Sequence, residues 1–100
     1  MTLQSTVRLC QDQISCDLNG EAAIFNVRTG AYYGLDAVGA TIWKLMEQPR
    51  TVQSIHEAIL CQFDVEDERC QADVLELLEK LSREGLIELV QPEMRDLGDT

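Results

Sequence analysis

Basic residues are scarce in this chain: 8 Lys and Arg stand against 18 Asp and Glu, a net charge of −10 over 100 residues. Such a field repels phosphate backbones, whose neutralisation by Lys and Arg supplies most non-specific nucleic-acid affinity, so nucleic acid is not an expected partner. Long apolar runs are also missing. No charge-free run approaches the roughly eighteen residues of a membrane span, and the N-terminus lacks the basic-then-apolar order of a signal peptide. The expectation is a cytoplasmic chain without membrane association. Histidine occurs once, at His56, with no Ser or Cys spaced beside it as a nucleophile-base pair. Neither GxGxxG nor GxxxxGK(S/T) is present, so no phosphate cradle is indicated. These gaps together predict no catalytic residues and no enzyme.

The four cysteines, Cys10, Cys16, Cys61 and Cys70, contain no CxxC pair, and His56 is five residues from the nearest of them. Structural zinc sites use tighter pairing. Four reduced thiols, no metal and no cofactor is the reading that follows. A hydrophobic content of 45% suffices for one modest core. Acidity is concentrated late: residues 64–100 hold twelve acids and four bases, residues 1–63 six and four. The expected layout is a loose arm at 1–6, one domain at 7–90 and an acidic tail at 91–100.

Gly30 to Met46, GAYYGLDAVGATIWKLM, joins a turn, a short strand, a helix cap and an amphipathic helix. Before it, Val7 to Leu18 has apolar residues spaced mostly by two and reads as one broken strand or two short ones. Asn19-Gly20 is a hairpin signal, because both central positions of a type I′ turn need positive φ. Ala22 to Val27 and Ala31 to Leu35 complete a three-stranded antiparallel meander. Alternation puts Ala31, Tyr33 and Leu35 on one face and Tyr32 on the other.

Asp36 caps a helix from about Ala37 to Gln48, with Trp43 flanking its apolar stripe as a structural residue. Thr51 caps a second helix with Val52, Ile55, Ile59, Leu60 and Phe63 as its stripe. The third, about Asp67 to Glu84, has acids in its first turn and Gly85 as its C′ residue. Leu86 to Val90 reads as a short terminal strand. The fold class is α+β: a three-stranded antiparallel sheet followed by three helices, winged helix-turn-helix-like in outline, with a sheet edge left unpaired unless something covers it.

The residues offer little else by way of chemistry. His56 reads as a surface or boundary histidine inside the second helix. A serine-borne carrier arm is not indicated, since Ser54 sits inside QSI and not after an Asp. Tyr32 and Tyr33 read as one surface and one core ring, or with the outward ring lining a groove next to the open strand edge. Val74, Leu78 and Leu81 form one seam of the third helix, with Cys70 and Leu77 beside it. An extended peptide laid along the third strand, its side chains entering a cleft against the third helix, would use both features.

GAYYGLDAVGATIW, TVQSIHEAI and DVLELLEKLSREGLIE, spread across residues 7–89, resemble the PqqD-like family of stand-alone recognition elements for ribosomally made, modified peptides. The resemblance implies a three-stranded sheet followed by three helices. It also implies non-catalytic binding of a precursor's leader peptide as a strand added to Ala31, Tyr32, Tyr33, Gly34 and Leu35. Cys70, Asp73, Val74 and Leu77 would then line the opposing wall, Cys70 being included by its spacing. A maturation enzyme is the second implied partner: a lasso-peptide leader protease is favoured on the YYGLD form of the strand, with a radical enzyme as the alternative. A winged-helix transcriptional regulator is the rival that the fold outline allows and the charge opposes.

Overall fold

The computed structural model describes residues 1–11 and 13–90. Six strands and three helices follow one another there: β1 (Thr6–Leu9), β2 (Gln13–Leu18), β3 (Glu21–Asn26), β4 (Tyr32–Leu35), α1 (Ala37–Leu45), β5 (Arg50–Thr51), α2 (Val52–Gln62), α3 (Asp67–Arg83) and β6 (Ile87–Val90). The fold is α+β, with the expected meander β2–β3–β4 and the three expected helices. Asn19 and Gly20 both take positive φ at the first hairpin, as a type I′ turn requires.

A second antiparallel sheet, in the order β5–β1–β6, is the main departure from expectation. The stretch read as one broken strand splits between the two sheets. Its first piece pairs with the terminal strand in the register Thr6↔Val90 to Leu9↔Ile87 and with β5 at Thr6↔Thr51. Residues 1–6 are not a loose arm. Met1 and Leu3 pack half-buried on the core, while the Leu3 and Ser5 carbonyls accept from Gln53 N–H and Val52 N–H, two of the orphan donors at the start of α2. The expected tail, 91–100, lies outside the described residues.

The helices close where their side chains satisfy them. Asp36 Oδ1 accepts from Gly39 N–H at 2.9 Å and Thr51 Oγ1 from Ser54 N–H at 3.1 Å. α1 stops at Leu45, three residues short of expectation, with Met46 as its C-cap. α3 ends in a Schellman motif: Gly85 has φ +77°, its N–H donates to Ser82 O, and Leu86 N–H donates to Leu81 O.

One core holds both sheets to the helices. It contains Val7, Ile24, Ile42, Trp43, Met46, Val52, Ile55, Ile59, Val74, Leu78, Leu81, Leu86 and Ile87, all nearly inaccessible. Trp43 is thus structural, as expected. His56, read as a surface or boundary residue, is buried: the first turn of α3 covers its side of α2, and His56 Nε2 lies 3.1 Å from Asp67 Oδ1. Buried Asn26 has every side-chain atom engaged. Its Oδ1 accepts from Arg28 and Thr29 N–H, while its Nδ2 donates to Glu84 O, tying the β3–β4 turn to the end of α3.

Candidate functional site

β4 bonds only to β3 among the described residues, so its outer side is a free ladder edge. The register fixes which groups it offers. Asn26 N–H donates to Ala31 O, making Asn26 and Ala31 a hydrogen-bonded pair. Pairs in an antiparallel ladder alternate, so Tyr33 and Leu35 also turn their main-chain groups toward β3, and Tyr32 and Gly34 turn theirs outward.

A groove of about 700 Å³ begins where this strand ends. Asp36, Val38 and Ile42 of the α1 side form one wall, α3 forms the other, and Ile59 and Val65 contribute further apolar surface. That volume falls within the range of ligand-binding clefts. β4 and α1 are held close at the groove's entrance, since a Cβ on Gly39 would lie 3.2 Å from Leu35 Cβ. At the other end of α3, Tyr33 OH donates to Glu84 Oε1 next to the lining residue Arg83. This hydrogen bond to a carboxylate raises the Tyr33 phenol above its ordinary value, with burial and the Glu84 charge adding to the rise.

Cys70, Asp73, Val74 and Leu77 all line the groove. Cys70 and Val74 are buried at its floor, and Leu77 is half-buried against the core. Desolvation raises the Cys70 thiol, followed by the nearby Asp67 and Asp73 charges, so the protonated thiol presents an apolar surface. Asp73 Oδ2 is 3.9 Å from Arg69 Nε, an exposed pair.

Ala31, Tyr32, Tyr33, Gly34 and Leu35 do not line the groove; they form the edge that leads into it through Asp36. Tyr33 and Leu35 pack half-buried on the core, whereas Tyr32 is exposed on the face turned away from the helices. The expected division into one core ring and one surface ring is thus Tyr33 and Tyr32, and the outward ring stands beside the strand edge without lining the groove.

Three cations in the lining, Arg69, Lys80 and Arg83, were not anticipated. Their signal is present in the sequence: positions 69, 73, 76, 80 and 83 recur at the spacing of one helix face beside the apolar seam. Among the described residues no three His, Cys, Asp or Glu side chains converge as a metal set. No helix there is long and apolar enough to cross a membrane.

The fold and cleft define a small α+β domain of winged-helix-like build, with an open sheet edge feeding a groove between two helices. The chain belongs to the PqqD family: the family model for coenzyme PQQ synthesis protein D matches residues 21–87. Within that family it is a PqqD-like RiPP recognition element. Two solved structures are similar to it. TbiB1, in complex with the TbiA(beta) leader peptide, is 28% identical with a TM-score of 0.76, covering 85% of this chain and 99% of its own. A lasso peptide synthetase B1 complexed with the leader peptide, 17% identical, shares the fold at a TM-score of 0.71 over 82% of this chain and 96% of its own. No curated protein matches the chain in sequence.

Proposed function

We propose that this protein is a non-catalytic cytoplasmic module that binds the leader segment of a ribosomally made precursor. The leader adds as a strand to the outer edge of β4, and the module presents it to a maturation enzyme. The observation that carries this reading is the pair of outward-turned residues, Tyr32 and Gly34, on an edge that no other described residue pairs with and that opens into the α1–α3 groove. Strand addition takes affinity from main-chain hydrogen bonds and selectivity from pockets that receive alternate side chains, and this site has both parts. The leader's apolar side chains would rest on Val74 and Leu77, and its charged ones would meet the lining cations and carboxylates.

Support comes from the likeness to TbiB1, a protein solved with a leader peptide. On the YYGLD form of the strand, a lasso-peptide leader protease is the favoured enzyme, ahead of a radical enzyme. Amide hydrogen exchange provides the direct test, using the leader of the precursor encoded nearest this chain. On adding leader, the Tyr32 and Gly34 amides should become slow to exchange while those of β1 and β6 stay as they were. Protection confined to other elements would defeat strand addition at β4. Mobility shift with duplex DNA at low salt, persisting to physiological salt, would instead favour the winged-helix regulator.

A further inference from the structure

Glu84, the C-cap of α3, is bonded twice to the sheet that carries β4. Its carbonyl accepts from Nδ2 of fully buried Asn26 at 3.0 Å, and its carboxylate accepts from the Tyr33 hydroxyl. The first tie holds the base of the β3–β4 turn. The second reaches the middle of β4, at the residue between Tyr32 and Gly34, whose main-chain groups turn outward. Tyr33 turns its own main-chain groups toward β3, so it offers none to an added strand, and its side chain is engaged by α3. Leu35, the next residue facing the helices, is held close to α1, where a Cβ on Gly39 would meet it at 3.2 Å. The outer edge of β4 is thereby fastened to both helices that wall the groove, to α3 at Tyr33 and to α1 at Leu35.

We propose that Tyr33 and Glu84 are positioning residues, which hold the outer edge of β4 in line with the groove without touching the peptide. The inference rests on the reading that the leader adds to β4 and enters the groove. A peptide held by main-chain bonds on one side and by side-chain contacts on the other gains fully from both sets only when the span between them is already right. Where it is not, binding must first order the two surfaces against each other, and affinity falls. The fold itself has little need of this bond. The Tyr33 ring packs on the core with or without a partner for its hydroxyl, Glu84 is exposed, and water can satisfy either group. Asn26 already secures the end of α3 to the turn, so what the Tyr33 bond adds is the distance from strand to wall.

The test is an anisotropy titration of the labelled leader of the neighbouring precursor, run well below the melting temperature of each variant. Tyr33→Phe keeps the core ring and removes the hydroxyl. Glu84→Ala removes the carboxylate and keeps the carbonyl that Asn26 uses, whereas Glu84→Gln keeps an oxygen that can accept from Tyr33. Tyr33→Phe and Glu84→Ala should each weaken binding about fivefold, the effect of leaving one side-chain pair for the leader to order. Glu84→Gln should bind like wild type. Tyr33→Phe combined with Glu84→Ala should lose no more than either change alone, because both remove the same bond, and melting temperatures should stay near wild type throughout. Wild-type affinity in both single variants overturns the inference and leaves strand addition standing. A loss in only one of them overturns it too, by placing that group on the leader, as do losses that add in the double variant. A Glu84→Gln variant as weak as Glu84→Ala makes the carboxylate a charge contact and has the same consequence. Labelled leader that fails to bind the wild type brings down the strand-addition reading itself, and this inference with it.

Discussion

Sheet β5–β1–β6 draws its strands from residues 6–9, 50–51 and 87–90, whereas β2–β3–β4 takes three consecutive strands from residues 13–35. Every ladder bond of the first closes a long loop, so that sheet forms only when the helices between its strands are packed. It fixes the two ends of the domain together, and Val7, Leu86 and Ile87 put it in the core. The meander needs only two tight turns and finishes on an edge that nothing described covers. On the proposed function, one sheet serves closure and the other presentation. Their mutational responses should therefore separate stability from binding.

The largest effect belongs to the core that both sheets share. Trp43→Ala should cost about 3–5 kcal/mol of unfolding stability, read by urea denaturation, because a buried indole leaves a large cavity. Ile87→Ala, confined to the closing sheet, should cost about 2–5 kcal/mol while leaving leader affinity of the folded fraction unchanged. If Ile87→Ala weakened binding at constant fold, the separation between the two sheets would be lost.

The presenting sheet should respond in the opposite sense. Gly34→Pro removes an outward N–H that β3 does not use, and leaves the leader's carbonyl without its donor, a loss of about 100-fold in affinity. Circular dichroism and the melting temperature should stay near wild type. Across the groove, Leu77→Ala should weaken binding by about 1–3 kcal/mol through lost apolar contact. Leu77 is the cleaner position because Val74 is fully buried and serves the core as well. Fluorescence anisotropy with a labelled leader measures both variants; wild-type affinity in each would remove the leader from this cleft.

What was legible in the sequence divides along the same line. Asn19-Gly20, the Asp36 and Thr51 caps and Gly85 are local signals, each setting backbone geometry within a few residues, and they recovered the meander and the helix starts. The β1–β6 pairing joins residues about eighty apart, and no local pattern encodes a register at that distance. The burial of His56 was hidden for a related reason: its neighbours on α2 are apolar, but only the docking of α3 decides that its side is covered. The α3 wall was readable from helical spacing, though attention to the apolar seam passed over Arg69, Lys80 and Arg83 beside it. The apolar outer face was visible as alternation in β2, where Ile14, Cys16 and Leu18 recur by two. That alternation alone does not say which face the helices take.

The smallest expected effect concerns a tie between the presenting sheet and the helices. Lys44 Nζ of α1 lies 2.7 Å from Asp17 Oδ2 of β2, and both side chains are about half exposed. The Lys44 hydrogen bond, with the Gly20 N–H and the Lys44 charge, holds the Asp17 carboxyl below its ordinary value. The bond to Asp17 holds Lys44 above its own. A depressed acid contributes stability above its unfolded value and loses it as pH falls through the folded one. A raised base contributes below its unfolded value and loses it as pH rises through the folded one. The pair should therefore act between the ordinary aspartate and lysine values, about 3.9 and 10.4, and fade outside them. Lys44→Met keeps most of the side chain's stem, so the melting-temperature difference from wild type isolates the charge. That difference should be small at neutral pH, since exposed pairs are well solvated, and smaller still in about 1 M salt. It should vanish once acid has protonated Asp17. A difference that persists unchanged through the acid range would mean that Lys44 acts by packing its stem on the sheet, with no contribution from the ion pair.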